Sequence, residues 1–411
     1  MKVVHVFTTL EGGAGLCASR IIKATRSIGV DVRAVVAKGS PSEVTDVVPF
    51  AYPWSDKWFV KKCQVLLKLL KLWPRSLRYA RKIARQRAHY KVGTFTSPLT
   101  TYTRVADHPW IQQADIVHLH WIGNFIDYPS FFGKVDKPIV WTVHDENPGY
   151  GGFHYSLWRK TAPEQFQRLD EQLAQIKRKA YQSAKSIHLV AISSMMADFF
   201  KANPLLRDYP VTQIFNGIDD SCFTPVPRSD ARNTLSLPKD KTVFLFSAYT
   251  IEEDRKGLRE LIEALERLRV PDILLICLGR FKKTPTSTFE IRCEGFISDS
   301  HLMSQYYSAA DFYMLPSFQE AFAQTPLEAM ACGTPVIAFP CSGTRDLIND
   351  DNGIVCDDFT VEALEKGIEM AMKRTYDSNI IVEGLRNRFS YRQIGRQYLS
   401  LYQAILKQPQ V

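Results

Sequence analysis

Glu320-Ala321-Phe322-Ala323-Gln324-Thr325-Pro326-Leu327-Glu328 runs directly into Ala329-Met330-Ala331-Cys332-Gly333-Thr334-Pro335-Val336-Ile337-Ala338, so a polar loop, a helix and an apolar strand follow one another without a break. Pro326 suits the first turn of a helix, which places Glu320 in the preceding loop and Glu328 in the opening turn. The two acids then bracket a helix N-terminus, whose free N–H groups and positive dipole end suit an anion such as a diphosphate. Thr325-Pro326-Leu327-Glu328 also fits a capping box, in which a Thr and a Glu three residues later satisfy each other's backbone donors. For Glu328 that structural role stands beside the functional one. Glu320 lies outside it, because a capped helix gains nothing from a carboxylate five residues upstream.

On either side of this stretch, short apolar runs alternate with helical patterns. Val3–Phe7 reads as a buried strand, and Gly12-Gly13-Ala14-Gly15 opens a helix to about Ile28. Strands are expected at Val32–Ala37, Ile116–Trp121 and Ile139–His144. Near Phe215-Asn216-Gly217-Ile218-Asp219 the pattern restarts, with strands at Thr242–Ser247, Ile273–Gly279, Phe312–Pro316 and Pro335–Ala338. Strands separated by helices indicate an α/β protein with doubly wound parallel sheets, whose ligands bind beyond the carboxyl ends of the strands.

Polar motifs stand at those ends. Gly12–Gly15 permits close backbone approach, but it is no dinucleotide fingerprint, since position 18 is Ala and the second strand ends in Ala37-Lys38. Arg255-Lys256-Gly257 follows one strand and opens a helix, and His144-Asp145-Glu146-Asn147-Pro148-Gly149-Tyr150-Gly151-Gly152-Phe153-His154 follows another. A fixed cation there stabilises a leaving phosphate, and a histidine with a neighbouring acid serves proton transfer. His118 and His120 read as strand residues, and Asp299 as a helix cap.

Together, the Glu320–Glu328 pair and the Glu328-Ala329-Met330-Ala331-Cys332-Gly333-Thr334-Pro335-Val336-Ile337 tail resemble the retaining glycosyltransferases of family 4, with the GT-B fold. The resemblance implies two Rossmann-like domains facing a central cleft: residues 1–216 on the acceptor side, with a C-terminal helix of about 390–411 packing back on it, and residues 217–389 binding the nucleotide sugar. It puts Glu320 by the hydroxyls of the transferred sugar, Glu328 on the ribose and Arg255 and Lys256 on the diphosphate. Phe322, Ala323 and Gln324 join them on the donor, and Gly13 meets the donor from the other domain. Gly295, Phe296 and Ile297 correspond to the base site. His144 corresponds to a residue beside the transferred sugar, acting with Glu320 and Lys256 in catalysis, while Gly12, Asp145 and His154 lie on the acceptor side. Asp145 is expected to orient the His144 ring or to assist the acceptor hydroxyl. Many members carry an Arg early in the loop that here reads Ser247-Ala248-Tyr249-Thr250.

The composition is that of an ordinary globular protein: 45% hydrophobic, 23% charged, and without an apolar run long enough to span a bilayer. Met1–Phe7 reads as a strand rather than a signal peptide, and the eight cysteines lack metal-ligand spacing, so a cytoplasmic, reduced protein is expected. The net charge of +9 is concentrated in residues 57–91, which hold twelve Lys and Arg residues and no acid. Trp58, Phe59, Leu66, Leu67, Leu69, Leu70, Leu72 and Trp73 are interleaved there, a basic amphipathic pattern that suits an anionic membrane better than nucleic acid. An ordinary surface helix is the competing reading.

The expected reaction is therefore metal-independent transfer of a sugar, with a UDP-hexose as co-substrate and no cofactor, to a hydroxyl of a glycan or lipid-linked acceptor. Two alternatives stay open: a nucleotide-sugar epimerase of the same fold, and a non-catalytic subunit held on a membrane.

Overall fold

The computed structural model of the protein describes residues 1–39, 47–49, 75–90, 93–268, 270 and 272–407. They form two compact units, Met1–Ile214 with Gly395–Val411, and Phe215–Ile394.

The first unit is built on β1 (Lys2–Thr9), β2 (Asp31–Lys38), β3 (Val47–Pro49), β4 (Ile116–Leu119), β5 (Ile139–Val143), β6 (Ile187–Ala191) and β7 (Val211–Gln213), in the order β3-β2-β1-β4-β5-β6-β7. The second holds β8 (Thr242–Thr250), β9 (Ile273–Arg280), β10 (Glu290–Gly295), β11 (Phe312–Leu315), β12 (Val336–Ala338) and β13 (Gly353–Val355), in the order β10-β9-β8-β11-β12-β13. Every pairing in both is parallel. Each sheet thus reverses direction once, between β1 and β4 and between β8 and β11, where a doubly wound sheet opens its binding crevice. The sequence names eight of these strands; β3, β6, β7, β10 and β13 are additional. Because helices cover both faces, the inner strands are apolar throughout: Val243, Phe244, Leu245 and Phe246 are all buried, as are Leu274, Leu275, Ile276 and Cys277.

One face of the first sheet departs from that rule. His5 and His118 are register partners on β1 and β4, and side-chain alternation carries the stripe on to His120, Thr142 and His144. Helix Tyr391–Lys407 adds two phenols to it. The Tyr402 hydroxyl shares a hydrogen bond with His118 Nδ1 (2.6 Å) and the Tyr398 hydroxyl one with Thr142 Oγ1 (2.9 Å), while His118 Nε2 meets Thr142 Oγ1 at 2.8 Å. His5, His118, His120 and both tyrosines are buried, so this helix is held by hydrogen bonds inside an apolar layer.

Of the basic segment, residues 57–74 and 91 lie outside the described residues; Arg75–Tyr90 is a helix. Ile83 and Tyr79 pack it onto Phe95, Phe153, Phe166, Leu169, Leu173 and Ile176. Arg78, Arg81, Lys82, Arg85 and Arg87 are exposed. The helix therefore has both an anchored face and a cationic one. Among the described residues, no helix is long and apolar enough to cross a membrane.

Burial pushes the pKa of His5 down to about 3 and of His144 to about 4, and those of His118 and His120 well below the ordinary value. A group whose folded pKa is depressed stabilises the fold above its unfolded pKa, near 6.5 here, and loses that contribution as the pH falls. Urea titrations at pH 7.5 and pH 5.0 should therefore differ by about 2 kcal/mol for each histidine kept neutral in the fold. An unfolding free energy unchanged between the two would contradict the buried stripe.

Candidate active site

In the second unit the chain turns after β8 through Asp254–Lys256 and ends that turn at Gly257, with φ of 72°. A Cβ on Gly257 would stand 2.0 Å from the Pro316 carbonyl oxygen, so only glycine lets the turn press against the loop after β11. Phe318 N–H donates to the Arg255 carbonyl (2.9 Å), and the Arg255 guanidinium donates back to the Gln319 carbonyl. Two neighbouring loops at the direction change of the sheet are stitched together in this way.

Glu320 sits where they meet. Lys256 Nζ donates to Glu320 Oε1 at 2.6 Å, and Arg255 Nη1 reaches the same oxygen at 3.3 Å. Burial works to raise the Glu320 pKa, but the charges of Lys256 and Arg255 outweigh it and hold the carboxyl below its ordinary range. Arg255 also pairs with Glu253 (3.0 Å). Both cations are thus engaged by carboxylates.

Glu328 lies in helix Thr325–Ala331, with Pro326 in its first turn, as the sequence implies. The capping box does not form as expected. The N-cap residue is Gln324, which makes no side-chain cap bond, and Thr325 is the first helical residue. The Thr325 hydroxyl instead accepts from Tyr313 (2.6 Å), and Glu328 Oε2 accepts from the Tyr307 hydroxyl (2.8 Å). Both glutamates are buried, yet Glu320 is held by cations and Glu328 by a phenol. Phe322 is packed in the interior against Phe215 and Phe389, so its ring is not presented at the surface of the loop that continues into Ala323 and Gln324.

At the end of β10, Gly295 has φ of 77° and is followed by the half-exposed Phe296 and the half-buried Ile297. The Phe296 ring meets the Tyr249 ring edge-on at 5.5 Å. The Arg280 guanidinium stands 4.6 Å from the Tyr249 ring centre and 5.5 Å from that of Phe296. The loop that lacks an arginine in sequence thus receives one from β9, where Arg280 is in register with Thr250. Asp299 accepts from Leu302 N–H (2.8 Å) and caps the next helix.

In the first unit, Gly12 and Gly13 open helix Gly12–Arg26, and a Cβ on either would meet nothing within 4 Å. His144 follows β5, and its Nε2 lies 3.1 Å from His120 Nδ1. Asp145 does not hold the His144 ring. Its carboxylate accepts from His154 Nδ1 (2.6 Å), Trp121 Nε1 (2.9 Å) and Asn147 N–H (2.9 Å), so it orients His154 instead. His154 Nε2 in turn meets Thr96 Oγ1 at 3.0 Å.

Helix Glu164–Gln182 fixes the rest of this loop. Asp170 Oδ1 accepts from Gly152 and Phe153 N–H, and Lys177 Nζ donates to the Asn147 carbonyl (2.6 Å) and to Asn147 Oδ1 (2.9 Å). A Cβ on Gly151 would lie 1.8 Å from the Asp170 carbonyl oxygen. Burial pushes the Lys177 ammonium down to about 7 against the opposing pull of Asp170 and Asp145. Sequence reasoning missed His5, His120, Asp170 and Lys177 here, and Tyr249 and Arg280 in the second unit. Only the spacing of His118 and His120, two apart as are Thr142 and His144, hinted at a shared polar face.

Residues 227–393 match the family model described as Glycosyl transferases group 1. A D-inositol 3-phosphate glycosyltransferase of Xylanimonas cellulosilytica is 34% identical over 34% of this chain and 38% of its own length. A phosphatidyl-myo-inositol mannosyltransferase of Propionibacterium freudenreichii is 27% identical over 61% of this chain and 60% of its own. The match spans only 34% to 41% of the length of these inositol-phosphate relatives. Among solved structures, Anabaena HepE in complex with UDP-glucose superposes with a TM-score of 0.66 at 17% identity, over 98% of this chain and all of that one. The two parallel sheets are those of the GT-B fold, and residues 227–393, which make up most of the second unit, are similar to the glycosyl transferases group 1 family.

Proposed function

We propose that the protein is a retaining, metal-independent glycosyltransferase of family 4 that moves a hexose from a UDP-sugar to a hydroxyl of a glycan or lipid-linked acceptor. The observation that carries this reading is the Lys256–Glu320–Arg255 cluster at the direction change of the second sheet, inside the segment that matches the family. In the reaction the bond from the sugar C1 to the diphosphate oxygen breaks while the acceptor oxygen bonds to C1 on the same face. The acceptor proton passes to the departing phosphate, and UDP leaves. Lys256 and Arg255 exchange Glu320 and Glu253 for the diphosphate, where fixed cations stabilise charge that grows in the transition state. Freed in this exchange, the Glu320 carboxylate accepts from sugar hydroxyls. Glu328 binds the ribose, Gly295, Phe296 and Ile297 meet the base, and Gly13 completes the donor site. His144 faces the transferred sugar, with Gly12, Asp145 and His154 on the acceptor side.

The similarity to a phosphatidyl-myo-inositol mannosyltransferase supports a membrane-associated acceptor, as does the cationic face of helix Arg75–Tyr90. We place the enzyme in the cytoplasm, on the inner face of the membrane.

With UDP-hexoses and purified protein, Glu320→Gln and Lys256→Ala should each lower kcat/KM by about 10²- to 10³-fold; full transfer in both variants would sink the assignment. A screen of nucleotide sugars by thermal melting should single out the donor, since a ligand at 100 times its Kd stabilises the fold by about 2.7 kcal/mol. Flotation with vesicles rich in anionic lipid should retain the protein at physiological salt. Replacing Arg78, Lys82 and Arg85 by Gln should weaken that retention about 100-fold, at roughly 1 kcal/mol per basic residue.

A further inference from the structure

We infer that His120, backed by His5, is a positioning residue for His144: a buried one-way chain of imidazoles fixes the plane and tautomer of the His144 ring and makes its Nδ1–H a donor to a substrate oxygen. The inference rests on the reading of His144 as an active-site group. Its geometry is explicit. His5 Nδ1 meets His120 Nε2 at 2.8 Å, and His120 Nδ1 meets His144 Nε2 at 3.1 Å. The rings follow one another nearly parallel, at 10° and 23°. Phe7 stands edge-on to the His120 ring, His118 stacks against it at 4.4 Å, and Trp141 Nε1 donates to the His120 carbonyl, so the middle link cannot turn.

A neutral imidazole carries one proton, so each link needs one donor and one acceptor, and the proton on any ring dictates the others. Two polarities are possible. If the protons sit on the three Nε2 atoms, His5 is left with a buried N–H that has no acceptor, because nothing partners His5 Nε2. If they sit on the three Nδ1 atoms, His5 Nε2 is only an unused lone pair and the N–H that lacks a protein acceptor moves to the His144 end; since orphaned N–H groups are rare in folded proteins, the favoured polarity is the one whose open end a ligand can satisfy. The second polarity leaves His144 with a proton on Nδ1, the other atom of the chain without a protein partner. His5 is wholly buried whereas His144 is half-buried, so although its Nδ1 is covered in the ligand-free fold, the His144 end is the one where a ligand can supply the missing acceptor. Burial keeps all three rings neutral; the charged groups that bear on them are Asp145 beside His144 and Arg26 near His5.

The same histidines invite a metal-site reading, since ligand atoms of His5, His118 and His120 lie within 4.8 Å of one another. Their hydrogen bonds argue against it. Two nitrogens on one tetrahedral zinc ion stand about 3.3 Å apart, whereas those of His5 and His120 are in direct hydrogen-bond contact at 2.8 Å, and both nitrogens of His118 are taken by Tyr402 and Thr142.

The test is nitrogen NMR of the full-length protein labelled at histidine, joined to kinetics. His5, His120 and His144 should each give the neutral Nδ1–H signature from pH 5.5 to 8; an Nε2–H form, a tautomer mixture, a charged ring or a stoichiometric transition metal in the purified protein would overturn the inference. His120→Phe, which keeps a ring in the stack, should release His144 to a mixture of tautomers. It should lower kcat by about 10- to 100-fold, up to the lower end of the roughly 10²- to 10⁴-fold that an acid–base group contributes, with the donor KM unchanged within about two-fold. In a His144→Ala background the same change should add less than about three-fold, because the two residues act as one unit. His120→Asn, which restores a polar atom near the Nδ1 position, should recover part of the rate. Equal losses in both backgrounds would reduce His120 to a structural residue. If His144→Ala leaves transfer intact, the active-site reading falls, while the wild-type spectra still decide whether the chain exists.

Discussion

Parallel strands cannot be joined by hairpins, and this constraint shapes both units. Each connection must travel back along the sheet, usually as a helix, before the next strand begins. The loops that leave the strands therefore gather at one edge, and their backbone need not pair with a neighbour. Gly12, His120 and His144 leave β1, β4 and β5 at such an edge, and the Asp254–Lys256 turn and Glu320 leave β8 and β11 at the other. Residues 64 positions apart reach hydrogen-bond distance because their strands are neighbours in the sheet.

The two edges use different electrostatics. In the second unit, full charges neutralise one another: a carboxylate held by a lysine and an arginine keeps its charge despite burial. The first unit instead keeps its polar groups neutral. Its histidines, phenols and Thr142 exchange hydrogen bonds within an apolar layer, where a charge would be costly and a satisfied dipole is tolerated. Only a ligand that brings charge can compete for the cations in the first setting, whereas the second offers neutral hydrogen-bonding groups.

The architecture was largely legible because buried parallel strands are continuous apolar runs, which hydropathy detects without any knowledge of pairing. Apart from β6, Ile-His-Leu-Val-Ala, an apolar run that the reading passed over, what escaped were pieces with weaker signals. β3, β7 and β13 have three residues each, and β10, Glu-Ile-Arg-Cys-Glu-Gly, is a half-exposed edge. Glu320, Lys256 and Arg255 were legible from motif and strand-end position. That Asp145 orients His154 and not His144 was not legible, because adjacency in sequence is a poor guide on extended chain, where successive side chains point to opposite sides. His118 and His120 looked like strand filler, since a single sequence does not say that β1 and β5 flank β4. Lys177 and Asp170 lay on a helix whose pattern is that of any amphipathic surface helix.

The tyrosines of helix Tyr391–Lys407 carry a consequence for the order of events during synthesis. Tyr398 and Tyr402 complete the hydrogen bonds of His118 and Thr142, in the middle of a sheet whose last strand ends at Gln213. A ribosome adding roughly 5–20 residues per second needs about ten seconds or more to get from that strand to those tyrosines. The second unit, being one continuous segment of chain, can fold in the interval, while the first waits with His118 and Thr142 exposed to water. The domain that begins first is thus the one that finishes last.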